Sequence, residues 1–228
     1  AAEDVEILFV RRNARASFMA NAYVFPGGRV DAADATAAPE LATRRCAARE
    51  LQEEASLLIG DLNELFHFAR WVTPSAEPKR FDADFFLWAL PPDQTPRVDA
   101  QEVFDLRFYT PRAALAEYEA GQLNLPPPTA CTLEDIQAEL QRIPAGTPLV
   151  QGLLDASTRR RPRTLMPRLR ADDAGGLEIV LPWDPEYLSV EGEGEPVPGP
   201  AEGGVEVAQR ILRCALVPPG RWRVKRAS

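Results

Sequence analysis

At 228 residues the chain has room for one large domain or two small ones, and its 45% apolar and 26% charged content is that of a globular protein able to bury a sizeable core. A formal charge of -8 excludes a chain whose main work is to coat nucleic acid or an anionic membrane, because both need a positive surface. His67 is the only histidine, which excludes a multi-histidine metal site within one subunit; Cys46, Cys131 and Cys214 form no CxxC pair and read as reduced core thiols of a cytoplasmic protein.

The N-terminal "AAEDVEILFVRR" passes from an acidic start into a strand, without the basic and then apolar order of a secretory signal. Strands are expected at "VEILFVRR" (Val5–Arg12) and "NAYVFPGG" (Asn21–Gly28), the second closed by a Pro-Gly-Gly turn. From about Glu40 to Leu57 there is no Gly or Pro, and good helix formers dominate, which predicts a helix. Further strands are expected at "LFHFARWVT", "FDADFFLWAL" and "EVFDLRFY", with His67 alternating among apolar residues in a structural position. Thr110-Pro111 opens a helix that ends near Gly121, and a second runs from about Thr132 to Arg142. The basic "STRRRPRTLMPRLR" reads as a surface segment, "EGEGEPVPGPAEGG" as a flexible loop and "RILRCALV" as a last strand. No apolar run approaches the roughly 20 residues that span a bilayer. The pattern is α/β or α+β, with 1–156 as the main domain and 157–228 as an extension packed on it.

On the predicted helix, Glu50, Glu53 and Glu54 stand at i, i+3 and i+4 and fall within an arc of roughly 100°, while Ala47, Leu51, Ala55 and Leu58 form an adjoining apolar face. Like charges at this spacing repel by a few tenths of a kcal/mol per pair unless a cation such as Mg²⁺ neutralises them. A solvated acidic face, helped by pairing of Arg49 with Glu53, is the alternative for the motif in isolation. The preceding "FPGG" shifts the balance, because a Gly-Gly turn ahead of an acidic helix lets backbone carbonyls join the glutamates as oxygen ligands.

These residues resemble the Nudix hydrolases, whose signature is G-x5-E-x7-R-E-U-x-E-E-x-G-U, with U a bulky aliphatic residue. In "RELQEEASL", Arg49, Glu50, Leu51, Glu53, Glu54 and Leu57 occupy the expected places, and Ser56 stands at the second glycine. Between Gly28 and Arg49 the box is longer than the signature, and counting back from Arg49 puts its first glutamate at Leu41, next to Glu40. The enlarged box, with "FMANAYVFPGGRVDAAD", "RFDADFF" and "LPPPT", is similar to the subgroup of peroxisomal coenzyme A diphosphatases, although the end "VKRAS" lacks a peroxisomal address. In a further CoA signature Arg12 fits the first arginine, while Ser17 and Asn21 replace its second arginine and glycine.

The resemblance implies a Nudix-type α/β/α sandwich with a mixed sheet and cleavage of a diphosphate, with CoA or acyl-CoA the first choice. ADP-ribose, NADH or dinucleoside polyphosphates are the other substrates, and a nucleotide sensor without turnover is the alternative function. It implies Mg²⁺ or Mn²⁺ held by Glu50, Glu53, Glu54 and the Gly28 carbonyl, with Arg49 orienting the glutamates. Glu102 is the candidate base, its other reading being a solvated residue before a strand. Arg12 and Arg80 are candidate phosphate binders or ordinary surface ion pairs. Trp71, Phe81, Phe85 and Trp88 offer either a stacking surface or core. The expected partner is a small-molecule nucleotide, with a homodimer open, no membrane, and nucleic acid disfavoured despite the arginines of 159–170.

Overall fold

The computed structural model describes residues 4–13, 20–77, 79–98, 103–159, 162, 164–172, 176–197, 210–217 and 221–226. The chain runs β1 (Ile7–Arg12), β2 (Tyr23–Val24), α1 (Pro39–Ala55), β3 (Phe66–Val72), β4 (Asp82–Leu87), β5 (Val103–Tyr109), α2 (Pro111–Glu119), α3 (Pro127–Arg142) and α4 (Leu149–Arg159). It continues through β6 (Thr164–Leu165), β7 (Arg168–Ala171), β8 (Leu177–Val180), β9 (Ile211–Val217) and β10 (Arg221–Arg226). This is the expected mixed α/β architecture.

β1 lies between β2 and β5, antiparallel to both. β3 pairs antiparallel with β4 and parallel with β6, so that Arg70 and Trp71 stand opposite Thr164 and Leu165. A third sheet, in the order β10-β9-β8-β7, is antiparallel throughout. Helix α2 opens as expected, with Pro111 in its first turn and the Thr110 hydroxyl accepting the Ala113 N–H at 3.1 Å. Helix α3 begins at Pro127, earlier than the Thr132 expected, because a proline in the first turn lacks only an N–H the helix would leave unpaired anyway.

One buried cluster joins the first strands to the C-terminal sheet: Phe9, Phe68 and Trp71 pack with Leu115, Tyr118, Leu133 and Ile136, and with Leu181, Trp183, Ile211 and Cys214. Trp71 meets Trp183 edge to face at 6.3 Å between centroids and donates its indole N–H to the Thr132 hydroxyl at 3.2 Å. Each such side chain contributes roughly 1.5–3 kcal/mol by leaving water. Cys46, Cys131 and Cys214 are free and buried. Among the described residues no helix is long and apolar enough to cross a membrane.

Of the arginine-rich segment expected at the surface, Arg159 is exposed and Arg160, Arg161 and Arg163 lie outside the described residues, whereas the two arginines of β7 are engaged within the chain. Arg168 on β7 donates to the carbonyls of Val190 at 2.7 Å and Gly194 at 3.0 Å and lies over the Tyr187 ring. Arg170 pairs with Glu178 and Glu186, both at 2.8 Å. These guanidiniums tie the extension together and are engaged inside the chain. Of the glycine- and proline-rich segment expected to be a loop, residues 191–197 form turns against Arg168 and the Pro182 carbonyl, and the rest lies outside the described residues.

Candidate functional site

Helix α1 buries Ala42, Cys46, Glu50 and Ala55. Ala42, Cys46 and Glu50 follow at four-residue steps, so the inner stripe includes a carboxylate where an alkyl group would be usual. Glu50 reaches the glycine turn so closely that a Cβ added at Gly28 would collide with its carboxylate. This approach is the reason for glycine at that position. On the same turn, the Gly27 N–H donates to Glu54 Oε2 at 2.9 Å. Glu54 therefore fastens the helix to the Pro-Gly-Gly loop by a hydrogen bond, and Glu50 lies close against it.

Arg49 organises the remaining acids. One terminal nitrogen donates to Glu50 Oε1 and Glu53 Oε2, each at 2.8 Å. The other reaches Asp34 Oδ2 at 2.8 Å and the Arg29 carbonyl at 3.0 Å, while Nε donates to Asp34 Oδ1 at 3.2 Å. The grip on Asp34 is thus a two-pronged guanidinium–carboxylate pair. Asp34 is only 3% exposed, and its hydrogen bond to Arg49 holds the carboxyl below the usual range against the opposite push of burial. The contacts of Arg49, led by Asp34, keep the guanidinium charged. Asp31 shapes the loop by accepting the N–H groups of Ala33 and Asp34 at 2.7 and 3.2 Å. Burial pushes the Cys46 thiol up to about 11, so it stands neutral beside this network.

Asp34 is the residue that counting back from Arg49 misplaced at Leu41. Counting forward from Gly28 finds it, because five residues separate Gly28 from Asp34, the spacing the signature gives its first acid. The additional residues of the box therefore lie between Asp34 and Arg49.

A cleft of about 1740 Å³ opens beside this cluster, lined by Arg12, Gly27, Gly28, Arg29 and Arg80, by Thr43, Cys46, Ala47 and Leu51 of α1, by β4 and by α3 and α4. Gly27 and Gly28 belong to both groups, and there the carboxylate network meets the cleft. Arg12 Nε is buried and finds no hydrogen-bond acceptor among the described residues. Arg80 donates Nε to the Thr73 carbonyl at 3.2 Å and stands 3.6 Å from Glu193 Oε2 in the extension. Glu102 lies outside the described residues. Phe81, Phe85 and Trp88 line the cleft, whereas Trp71 is core. His67 brings Nε2 to 3.0 Å from Asp84 Oδ1 without hydrogen-bond alignment and helps hold the Asp84 carboxyl low, far in sequence from the α1 acids. Leu58 is 57% exposed, not part of an inner face, because α1 ends at Ala55 and Ser56 turns left-handed at φ 56°.

The donors gathered by α1 are carboxylate and carbonyl oxygens, which suit a hard divalent cation and not a soft one. Among the described residues no three acids stand as a finished metal cluster, and Arg49 holds oxygens of Glu50 and Glu53. A cation entering here competes with that guanidinium.

The chain is 28% identical over 158 residues to "Putative nudix hydrolase 7" of Caenorhabditis elegans, an alignment covering 54% of this chain and 52% of that protein. It is 22% identical over 219 residues to "Acyl-coenzyme A diphosphatase NUDT19" of Xenopus laevis, with 55% and 58% covered. The chain thus spans about half the length of the curated relatives it matches. Its fold is similar to the crystal structure of a NUDIX hydrolase from Alicyclobacillus acidocaldarius, with a TM-score of 0.54, 25% identity, and 59% of this chain and 84% of that one covered. The glycine turn, the Arg49 network and α1 fall within residues 2–127, which match the NUDIX domain model, and the chain belongs to the Nudix family.

Proposed function

We propose that this chain is a Mg²⁺- or Mn²⁺-dependent diphosphatase that cleaves a nucleoside diphosphate linked to another moiety. CoA or acyl-CoA is the preferred substrate, giving 3',5'-ADP and a 4'-phosphopantetheine product. The observation that carries this reading is the crowding of Asp31, Asp34, Glu50 and Glu53 around the single guanidinium of Arg49, at a glycine turn that opens into the cleft. The similarity to a protein named as an acyl-coenzyme A diphosphatase supports the choice of CoA.

Glu50, Glu53, Glu54 and the Gly28 carbonyl would hold the metal, which supplies neutralisation of the diphosphate oxygens and acidification of a water. Asp34 fixes Arg49, and Arg49 fixes the directions of Glu50 and Glu53. Arg12 turns its unengaged Nε–H to a phosphate oxygen, and Arg80 holds a second from the rim of the cleft. Glu102, immediately before β5 in sequence, takes the proton of the attacking water on its carboxylate. Residues 1–156 form the Nudix domain and 157–228 an extension packed on it; the pairing of β6 with β3 and the shared core support that packing, and α4 (Leu149–Arg159) runs across the boundary. Three buried free thiols support a cytoplasmic setting.

Mass spectrometry of products from CoA, acyl-CoA, NADH, ADP-ribose and dinucleoside polyphosphates tests the proposal, with Glu53→Gln and Glu54→Gln in parallel. Formation of 3',5'-ADP from the CoA compounds is expected, reduced about 10²-fold or more in each variant, on the scale of removing one preorganised electrostatic contact. Turnover of another panel member would keep the mechanism and discard CoA. The hold of Arg49 on the glutamate oxygens favours one other reading, a nucleotide sensor, and binding of the panel without turnover would select it.

A further inference from the structure

Among the described residues, the charged side chains that line the cleft come from residues 4–29 and 79–84, four acids and four bases. The residues contributed by 126–154 include no charged group, although that stretch contains Glu134, Asp135, Glu139, Arg142 and other polar residues. The reason is visible in α3. Glu134 turns to Arg226, Asp135 to Arg210, and Glu139 to Arg142, so its acids are taken up by arginines of the C-terminal segment or of the helix itself. The connection to α4 and α4 itself leave Ile143, Leu149, Val150 and Leu154 open to the cleft, over the buried Ile136 and Leu153. Gly152 lets α4 close on this connection, because a Cβ there would press on the Ile143 side chain. The cleft therefore carries charges of both signs on the side of the glycine turn and β4 and is uncharged along α3–α4. Its volume of about 1740 Å³ also exceeds the roughly 300–1,000 Å³ of an ordinary small-molecule pocket.

We infer that the α3–α4 wall is a subsite for an extended apolar tail, and that the substrate is an amphiphile whose anionic diphosphate lies at Gly27–Gly28 while an acyl chain runs along Ile143, Leu149, Val150 and Leu154. The inference rests on the CoA reading above and names the part of the substrate that selects among CoA compounds. A charged or strongly hydrated second moiety would leave this wall unsatisfied. Most of the wall lies beyond residues 2–127, outside the part of the chain that matches the family model. Chain-length preference is accordingly set by α3 and α4, while the diphosphate is held by the glycine turn.

The test is calorimetric binding of CoA and decanoyl-CoA to the full chain in EDTA, where metal-dependent hydrolysis is blocked, comparing wild type with Leu154→Glu and Val150→Glu. Val150 is 44% exposed, so its variant folds even where a charge at the half-buried Leu154 does not. Wild type should bind decanoyl-CoA about tenfold or more tightly than CoA, and each folded variant should reduce that ratio severalfold. Equal affinities in wild type, or a ratio that survives Val150→Glu and a folded Leu154→Glu, would overturn the inference. Turnover on adding Mg²⁺ is read separately: tail-dependent binding without turnover removes the diphosphatase reading and leaves the subsite, whereas turnover with no tail dependence does the reverse.

Discussion

Two arginine–carboxylate networks in this chain differ in charge balance. In the extension, Arg170, Arg213 and Lys225 form a chain of ion pairs with Glu178, Asp184 and Glu186, at 2.6–2.8 Å, three cations against three anions. Burial pushes the Glu178 carboxyl up, but Lys225 and Arg170 outweigh it and hold it low, and Arg213 with Arg170 draws the Glu186 carboxyl down to about 2. Around Arg49 one guanidinium faces Asp31, Asp34, Glu50 and Glu53, with Glu54 on the neighbouring loop contact. The first network is neutral and closes on itself. The second carries a surplus of negative charge that the fold retains beside a cleft, which is the condition for binding a cation. The same kind of arginine–carboxylate pairing can thus serve stability in one place and ligand binding in another.

The largest stability effect should come from the structural side. Arg210, held against Asp135 and stacked over Trp183 at 4.3 Å, is buried with its partner. Arg210→Ala removes the cation from a buried carboxylate and should cost about 3–5 kcal/mol. Calorimetry should show Tm lower by roughly 6–20 °C at the usual 2–4 °C per kcal/mol for this chain length. A small change would mean that this side of the extension is not joined to α3 as a stability element. Mg²⁺ should then act on the other network alone: at a hundredfold excess over Kd it should stabilise wild type by about 2.7 kcal/mol, less so in Glu50→Gln, and undiminished in Arg213→Ala. Loss of the increment in Arg213→Ala would erase the distinction between the two networks.

The Asp34 carboxyl gives the comparison a pH axis. Its folded pKa lies below the ordinary value because of Arg49, so the unfolded chain takes up the proton first as acid is added. The stabilisation is complete above about pH 4 and is lost as pH falls through the folded pKa. Asp34→Asn should therefore cost about 1.5–3 kcal/mol at pH 7, the range for hydrogen bonds to a charged group, with the difference from wild type shrinking below pH 4. Urea unfolding across pH 3–7 measures it; a cost independent of pH would show that Asp34 acts by shape and not by charge.

Strands β1, β3 and β5 and helix α1 were legible because apolar period and helix propensity are local properties. The Arg49–Glu50–Glu53–Glu54 motif was legible for the same reason. Asp34 was hidden by the lengthened loop, since its link to Arg49 is a contact in space and the count from one side fails. Helix α4 was obscured by Pro144, Gly146 and Pro148 ahead of it and by Gly152 within it, a glycine whose purpose is the close approach of Ile143. The arginines of β7 look like solvated charge until their distant acceptors, Glu178, Glu186 and the carbonyls of residues 190 and 194, are known.

Ser56 gives the smallest and most local test. It ends α1 at φ 56°, ψ 31°, with its N–H on the Gln52 carbonyl and the Leu57 N–H directed back to Leu51, so the helix closes in the left-handed conformation that glycine adopts without a Cβ penalty. The Nudix signature has glycine at this position. Its side chain is exposed, and no hydrogen bond from the Ser56 hydroxyl explains a preference for serine among the described contacts. Ser56→Gly should stabilise the chain by about 0.5–1 kcal/mol, offset in part by the greater freedom of glycine in the unfolded state. Because the change relaxes the end of α1 without touching Arg49, Mg²⁺ affinity should stay within twofold. A larger change in affinity would mean that the strained turn at Ser56 helps to set the directions of Glu53 and Glu54, and that the helix exit belongs to the metal-binding network.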